Sequence, residues 1–445
     1  MTDNSSLLPN NHALTSDVLY NMKPSAARCR SYRASIPASN KSTFSPSDTI
    51  IAYIPARRNC FLDTNTSYIR FTVKNNDGTN SINVDGTCNS WFQRLDVYHG
   101  SNLLETIQEY GVLSAYLADF QLDYAKRYGL EPAMGCTANR QGSTIAVTGC
   151  TQTFTTPIVS GTVGCLNDKY LPLSLADDIR LEFTLQTALL ANYWSTTATG
   201  LTAWSIIDFQ LELNILELSD DAMRMVESVT PFTQPIYMHG SSYRHYSSTL
   251  ANGSSGQQSF LVPARFASLK QLIMCPRRAT EIGLQQAYSI SSRVNPNIET
   301  YWWRVGSLIV PQKAITIKNG NNTGGYGEAF YEIIRAWQSA ANFAITSALP
   351  YAYFNVADAV DATCNVVVPN TTTNSYKNGF AVAQEMESIA NRNDTLLTGT
   401  NTLNSQIFFE WSNNAAVTAG YTLNFFAQYD HIICLDENGL LSVKF

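Results

Sequence analysis

Gly320 to Ala329 read GNNTGGYGEA, a glycine-rich run just ahead of a helical pattern. Such runs cradle phosphates when backbone N–H groups converge at a helix start. This one lacks the Lys-Ser/Thr of a P-loop and the glycine spacing of a dinucleotide fingerprint, so a turn that admits the chain to a helix is the simpler reading. Three carboxylate pairs, Asp177-Asp178, Asp220-Asp221 and Asp436-Glu437, would supply the acid and base of glycoside hydrolysis if two of them faced each other across a cleft. They fall at the ends of strand-like runs, where Asp builds turns. The five histidines, His12, His99, His239, His245 and His431, share no metal-ligand spacing. His239 and His245 read as ordinary strand or turn residues. No Gly-x-Ser-x-Gly elbow is present, and no Cys-His pairing can be named from spacing. The expectation is a chain with no catalytic residues, no metal site and no cofactor.

The nine cysteines are scattered and never form CxxC, which reads as buried reduced thiols in a protein made inside a cell. Cys136, Cys150 and Cys165 are the closest group, and a disulfide among them is the minor alternative. Net charge is −6, which argues against a protein that coats nucleic acid by neutralising phosphates. Lys23, Arg28, Arg30 and Arg33 form the one basic cluster, which reads as solvated or paired with a neighbouring subunit, with contact to a nucleic acid or a lipid headgroup as the minor alternative. The start, MTDNSSLLPNNHALTSD, has no basic segment leading into an apolar run, and no run approaches the roughly 18 apolar residues of a membrane span. Only 14% of the 445 residues are charged, against about 25% in ordinary soluble domains. Either neighbouring subunits cover much of the exterior, or this is a neutral, loop-rich β protein.

The elements that carry these residues repeat. Ser31-Tyr32-Arg33 leads to Pro55-Ala56-Arg57, and Ser242-Tyr243-Arg244 leads to Pro263-Ala264-Arg265. Leu113, Tyr116, Leu117 and Phe120 make an apolar stripe at i, i+3, i+4 and i+7, and Phe330, Ile333, Ile334 and Trp337 repeat it. A Tyr-Gly pair precedes each stripe, Tyr110-Gly111 and Tyr326-Gly327, and a Trp-containing strand lies upstream of each. In WSIIDFQLELNILELSDD, Ile207, Phe209, Leu211, Leu213 and Ile215 alternate with polar residues, the period of a strand with one buried face. YTLNFFAQYDHIICLDEN closes the chain in the same way, with Leu435 standing where Leu218 stood. Landmarks in one order at nearly constant offset indicate a duplication.

Short runs such as DTIIAYIP, SYIRFTVKN, DIRLEFTL and SQIFFEW are strand-like and punctuated by Gly, Asn, Asp and Pro. With no βαβ alternation, the sheets should be antiparallel and packed face to face. The expected fold is mainly β: two tandem antiparallel β-sandwich (jelly-roll) domains, each with one flanking α-helix. The expected partition is an arm at 1–30, a first jelly roll at 31–225, a linker at 226–241 and a second jelly roll at 242–445. FAVAQEMESIAN, Phe380 to Asn391, reads as a helix peculiar to the second half. Long Thr/Asn-rich segments at 137–164, 195–202, 368–378 and 393–405 read as exposed loops. The sequons at Asn252, Asn322, Asn370 and Asn393 are what an Asn/Thr-rich chain contains by composition.

Tandem jelly rolls in a low-charge, catalytically silent chain resemble the double jelly-roll major capsid proteins of tailless icosahedral DNA viruses, the tectivirus and adenovirus lineage. The paired Ser-Tyr-Arg to Pro-Ala-Arg openings and the Tyr-Gly helices look most like those of virophages and Polinton-like viruses. The resemblance implies a virion capsid protein, assembled in the infected host cell, whose homotrimers form pseudo-hexagonal capsomers. It implies contacts with neighbouring capsomers and with penton and minor capsid proteins, and an N-terminal arm, with SDVLYNMK as a short helix, placed to touch an internal membrane. Sequence-specific nucleic-acid binding is not expected. The alternative is a two-sandwich carbohydrate-binding or glycoamidase-like protein; a receptor-binding spike would show a fibrous repeat or a separable head.

Overall fold

The computed structural model describes residues 28–445 except 79–80, 137–143, 147–148, 168, 188–203, 230–233, 281, 283–288, 318–325, 337–348, 350–353, 355–378, 388–396 and 414. Sixteen strands, with Thr43–Phe44, Thr151–Pro157 and Leu441–Lys444 pairing beside them, build its four main sheets. In the first half they are β1 (Cys29–Pro37), β2 (Thr49–Ile54), β3 (Cys60–Asn75), β4 (Phe92–His99), β5 (Asn102–Gln108), β6 (Leu171–Pro172), β7 (Ile179–Leu185) and β8 (Trp204–Leu218). In the second they are β9 (Ile236–Leu250), β10 (Gly256–Val262), β11 (Leu269–Arg278), β12 (Ile298–Val305), β13 (Leu308–Thr316), β14 (Val382–Glu385), β15 (Ile407–Asn413) and β16 (Tyr421–Leu435). The helices that bear on function are α1 (Tyr110–Phe120), α2 (Tyr124–Gly129), α3 (Asp220–Val229) and α4 (Tyr326–Ala336).

Sheet order repeats strand for strand. The first half pairs β1-β8-β3-β6 and β2-β7-β4-β5; the second pairs β9-β16-β11-β14 and β10-β15-β12-β13. All the ladders are antiparallel, and each pair of sheets encloses one apolar layer, as in a jelly roll. β7 shows the cause in miniature: IRLEFTL alternates buried and half-buried residues without a break, which fixes one face inward. Register repeats as well. Ile179 of β7 lies between Ile54 and His99, and Ile407 of β15 lies between Val262 and Val305. Both Pro-Ala-Arg motifs follow directly on those rows, after Ile54 and Val262. Both rows turn into the next strand at a glycine with positive φ, 58° at Gly100 and 59° at Gly306, a conformation that other residues adopt only at a cost. The Ser-Tyr-Arg motifs sit on the equivalent strands β1 and β9, nearer the start of β1 than of β9. Leu218 and Leu435 each close a ladder, opposite Cys29 and Ile236.

Each unit has its own aromatic centre: Phe71, Trp91, Phe92 and Phe154 in the first, Trp303, Phe409, Trp411 and Phe425 in the second. Both duplicated helices open on the Tyr of their Tyr-Gly pair. α1 is buried on every side, not along one stripe. In α4 the buried face is Tyr326, Ala329, Ile333 and Ala336; Phe330 and Ile334 are half-buried, and Trp337 lies outside the described residues.

Other expectations are corrected. Val382–Glu385, read as helix, is strand β14, paired with Gln271–Met274 of β11. Ala, Gln and Glu favour helices, but a ladder partner and burial on both sides outweigh that weak preference. A bulge between Ile207 and Gln210, with Asp208 at φ 54°, breaks the alternation of β8, so Ile206 faces the core and Ile207 is half-buried. Cys29, Cys150 and Cys165 are exposed, not buried, and Cys136, Cys150 and Cys165 are all free thiols. α3 spans Asp220–Val229 and β9 spans Ile236–Leu250, on either side of residues 230–233. His12, the SDVLYNMK segment, the GNNTGG run and the sequons at Asn322, Asn370 and Asn393 lie outside the described residues.

Candidate functional site at the junction of the two sandwiches

The densest buried polar chemistry of the described residues lies where the two sandwiches meet. Glu105 on edge strand β5 is 2% exposed. Its carboxylate accepts from Ser160 Oγ at 2.5 Å, Gly161 N at 2.9 Å and Thr162 N at 3.2 Å, and across the junction from Ser242 Oγ of β9 at 2.5 Å. Charge-assisted bonds of this kind are the stronger class. Beside it, Thr162 Oγ1 and His431 Nε2 are 2.9 Å apart, and Ser241 N donates to Leu166 O at 2.9 Å. Gly161 and Gly240 face each other, and a Cβ on Gly240 would stand 2.5 Å from Gly161 O, so only glycine permits this approach. Burial lowers the pKa of His431, with the Glu105 charge opposing that and His239 reinforcing it.

A second cluster is ionic. Asp119, the one charged residue in α1, receives Arg127 Nη1 of α2 at 2.5 Å on one oxygen and Arg293 Nη2 of the second unit on the other. All three side chains are essentially inaccessible, and Arg293 Nε also donates to Phe380 O at 3.2 Å. Asp85 accepts from Ile290 N at 2.8 Å and Ser291 N at 3.1 Å, and Arg277 Nη2 meets Glu109 at 3.0 Å. Phe120 packs on Phe330 and Phe354, so α1 and α4 touch across the same seam.

At one end of the seam, the hairpin between β4 and β5 meets the C-terminal strand Leu441–Lys444. Asn102 Nδ2 donates to Leu441 O at 3.1 Å, and Leu441 N donates to His99 Nδ1 at 3.3 Å. Accepting at Nδ1 leaves the His99 proton on Nε2, which faces Asp177 O at 3.1 Å. Ala176 N donates to Gly439 O at 3.0 Å. Nearby lies a cleft of about 400 Å³ lined by Arg57, Arg58, Met223, Glu227, Asp436 and Glu437.

The carboxylate pairs hold turns. Asp178 accepts from Ala56 N, Asp220 from Asn59 Nδ2, and Asp436 from Asn438 N and Leu440 N. His239 bonds Asp430 at 2.8 Å and His245 bonds Asn424 at 3.1 Å, both from within β9. Among the described residues no group of three His, Cys, Asp or Glu side chains could hold a metal ion. No helix among them is long and apolar enough to cross a membrane. Sequence reading missed the junction residues Glu105, Asp119, Arg127 and Arg293. One signal was available: a lone carboxylate in the otherwise neutral run YGVLSAYLADF.

No family model matches the sequence, and no curated protein matches it. Solved structures do. A chain of the PBCV-1 virus capsid superposes with a TM-score of 0.63 at 11% identity, over 96% of this chain and 98% of that one. The Faustovirus major capsid protein gives 0.56 at 10% identity, over 95% and 92%. The mavirus major capsid protein gives 0.54 at 11% identity, over 98% and 95%. At such identity the likeness is one of fold, and it spans both sandwiches: the chain has the double jelly-roll fold.

Proposed function

We propose that this chain is a major capsid protein whose trimers form the pseudo-hexagonal capsomers of an icosahedral double-stranded DNA virus shell. The observation that carries the reading is the repeated strand order of two sandwiches locked together by buried polar groups. Three such chains around an axis present six similar units, which tile a nearly hexagonal lattice. Full-length likeness to capsid chains supports the same reading, and subunit contacts would cover an exterior that has only 14% charged residues. The chain acts by assembly, not catalysis, and resides in the virion after assembly in the host cell.

Within this reading, residues 1–30 serve as an arm, and 31–225 and 242–445 as the two shell-forming units, joined through 226–241, which holds the end of α3 and the start of β9. The arm contacts neighbouring capsomers, penton or minor proteins, or an internal membrane. A net charge of −6 suits a shell that does not bind its genome sequence-specifically. Native mass spectrometry tests the reading: the expected species is three times 49.2 kDa. A stable monomer at micromolar concentration overturns it. Binding on a glycan array or amidase activity would instead favour a carbohydrate-directed protein.

A further inference from the structure

α2 turns one side chain inward, and that side chain is an arginine. Arg127 is the sole buried residue of the helix, while Tyr124 and Tyr128 on either side of it are exposed. Asp123 caps the helix by accepting from Lys126 N at 2.6 Å, which sets where it starts. An apolar residue would seat such a helix at no electrostatic cost, and arginine is rarely buried unless it is paired. Arg127 Nη1 is paired, with Asp119. Nε and Nη2, the other edge of the same guanidinium, are buried and meet no acceptor among the described residues. Nη1 of Arg293 is also without one. Two parallel N–H bonds on a rigid plane are the part of arginine that grips a single anion.

Charge leads to the same place. Asp119 carries one negative charge against the positive charges of Arg127 and Arg293, all three inaccessible, so the cluster keeps one positive charge in excess. Burying an uncompensated charge is costly. The seam's other carboxylates are committed elsewhere. Glu105 is bonded to Ser160, Gly161, Thr162 and Ser242, Asp85 to the backbone of Ile290 and Ser291, and Glu109 to Arg277. Thiolates do not supply the charge either. Burial pushes the Cys275 thiol up to about 12 against the Arg293 and Arg277 charges, and raises Cys136 against that of Arg127. The Tyr116 ring, 5.9 Å from Arg293 Cζ, offsets part of that residue's charge and leaves the Arg127 edge as it was.

We propose that the seam contains a binding site for a small monovalent anion, chloride in the cell, seated on the Nε–Nη2 edge of Arg127. One negative charge balances the cluster. A doubly charged oxyanion such as sulfate would reverse its sign, and its bulk does not suit a site whose side chains are all inaccessible. Bound there, the ion is a structural ligand that ties α2 to α1 and, through Asp119, to Arg293 of the second sandwich. It binds the folded seam and not the unfolded chain, so it stabilises by mass action. The site belongs to the single chain, whether or not copies of it assemble.

Two readouts on the full-length protein test the site. Crystals grown in bromide should show an anomalous peak in contact with Nε and Nη2 of Arg127. Replacing gluconate by chloride up to about 500 mM at fixed ionic strength should slow amide exchange over residues 119–130 at least about tenfold, the mass-action result for a dissociation constant of about 50 mM or below. Arg127→Met leaves Asp119 and Arg293 as a balanced pair, and exchange in that variant should not respond to chloride. If the variant fails to fold, the bromide peak and the chloride response of the wild type decide alone. A water at the Arg127 edge, with no anomalous signal, overturns the site. So does a bromide peak with chloride-independent exchange, which marks an adventitious ion only. A chloride response retained in Arg127→Met places the ion elsewhere and overturns the site as well.

Discussion

His431 is inaccessible, and its bond to Thr162 crosses the seam between the sandwiches. Burial holds its pKa below the ordinary 6.5, against the Glu105 charge and with help from His239. His245 is shifted the same way by burial, opposed by Glu109 and reinforced by Arg277. Both rings are therefore neutral in the fold at a pH where the unfolded chain has begun to bind protons. Below pH 6.5 the unfolded state carries more protons, so stability falls as pH drops, by up to about 1.4 kcal/mol per pH unit for each fully neutral histidine. Asp430 acts in a lower window. Burial would raise its pKa, but bonds from His239 and Ser268 and the Lys270 charge bring it below the ordinary 3.8. Denaturant midpoints from pH 7.5 to 5 should decline for the wild type and decline less for His431→Gln. An unchanged slope in that variant would remove His431 from the linkage.

The duplicated helices show how the same element serves two settings. Tyr110 opens α1 and accepts from Val159 N at 2.8 Å through its hydroxyl, pinning the loop that carries Ser160, Gly161 and Thr162 to the seam. Tyr326 opens α4 and bonds Asn295 Nδ2 at 3.2 Å. Tyr110→Phe keeps the ring but strands the buried Val159 N–H, at a cost of about 1–3 kcal/mol. Hydrogen exchange at residues 159–163 should accelerate, while exchange in α4 stays as it was. This scale is also where the sequence was most legible. Short strand-like runs announced β2, β3, β7 and β15, alternation announced β8, and the Tyr-Gly pairs marked both helix starts. The misreading at Val382–Glu385 has a plain cause: four residues with helix-tolerant side chains gain a strand conformation only from a partner more than a hundred residues away. The seam was less legible still, because Asp119 and Arg293 stand 174 residues apart and neither belongs to a spaced motif.

Two sandwiches in tandem can behave as beads on a string or as one block, and the seam decides which. A flexible pair would show a polar, hydrated contact. Here the contact holds Glu105, Asp119, Arg293, Ser242 and Tyr243, all nearly or wholly inaccessible, along with an aromatic bridge from Phe120 to Phe330. Buried charges bind their partners tightly because separation leaves each of them unpaired in a low-dielectric site. Opening the seam would part Arg293 from its carboxylate and leave Asp119 with Arg127 alone, so neither sandwich can unfold without destabilising the other. The wild-type chain, held under conditions where it is monomeric, should therefore unfold in a single calorimetric transition. Asp119→Ala leaves Arg127 and Arg293 buried without their shared carboxylate, and such removal costs about 3–5 kcal/mol. That loss falls on the seam itself, so the variant should show two resolved transitions, one for each sandwich. Two transitions already present in the wild type would mean that the sandwiches are thermodynamically independent. A shell tile built from them would then owe its rigidity to contacts between chains, not to the seam within each chain.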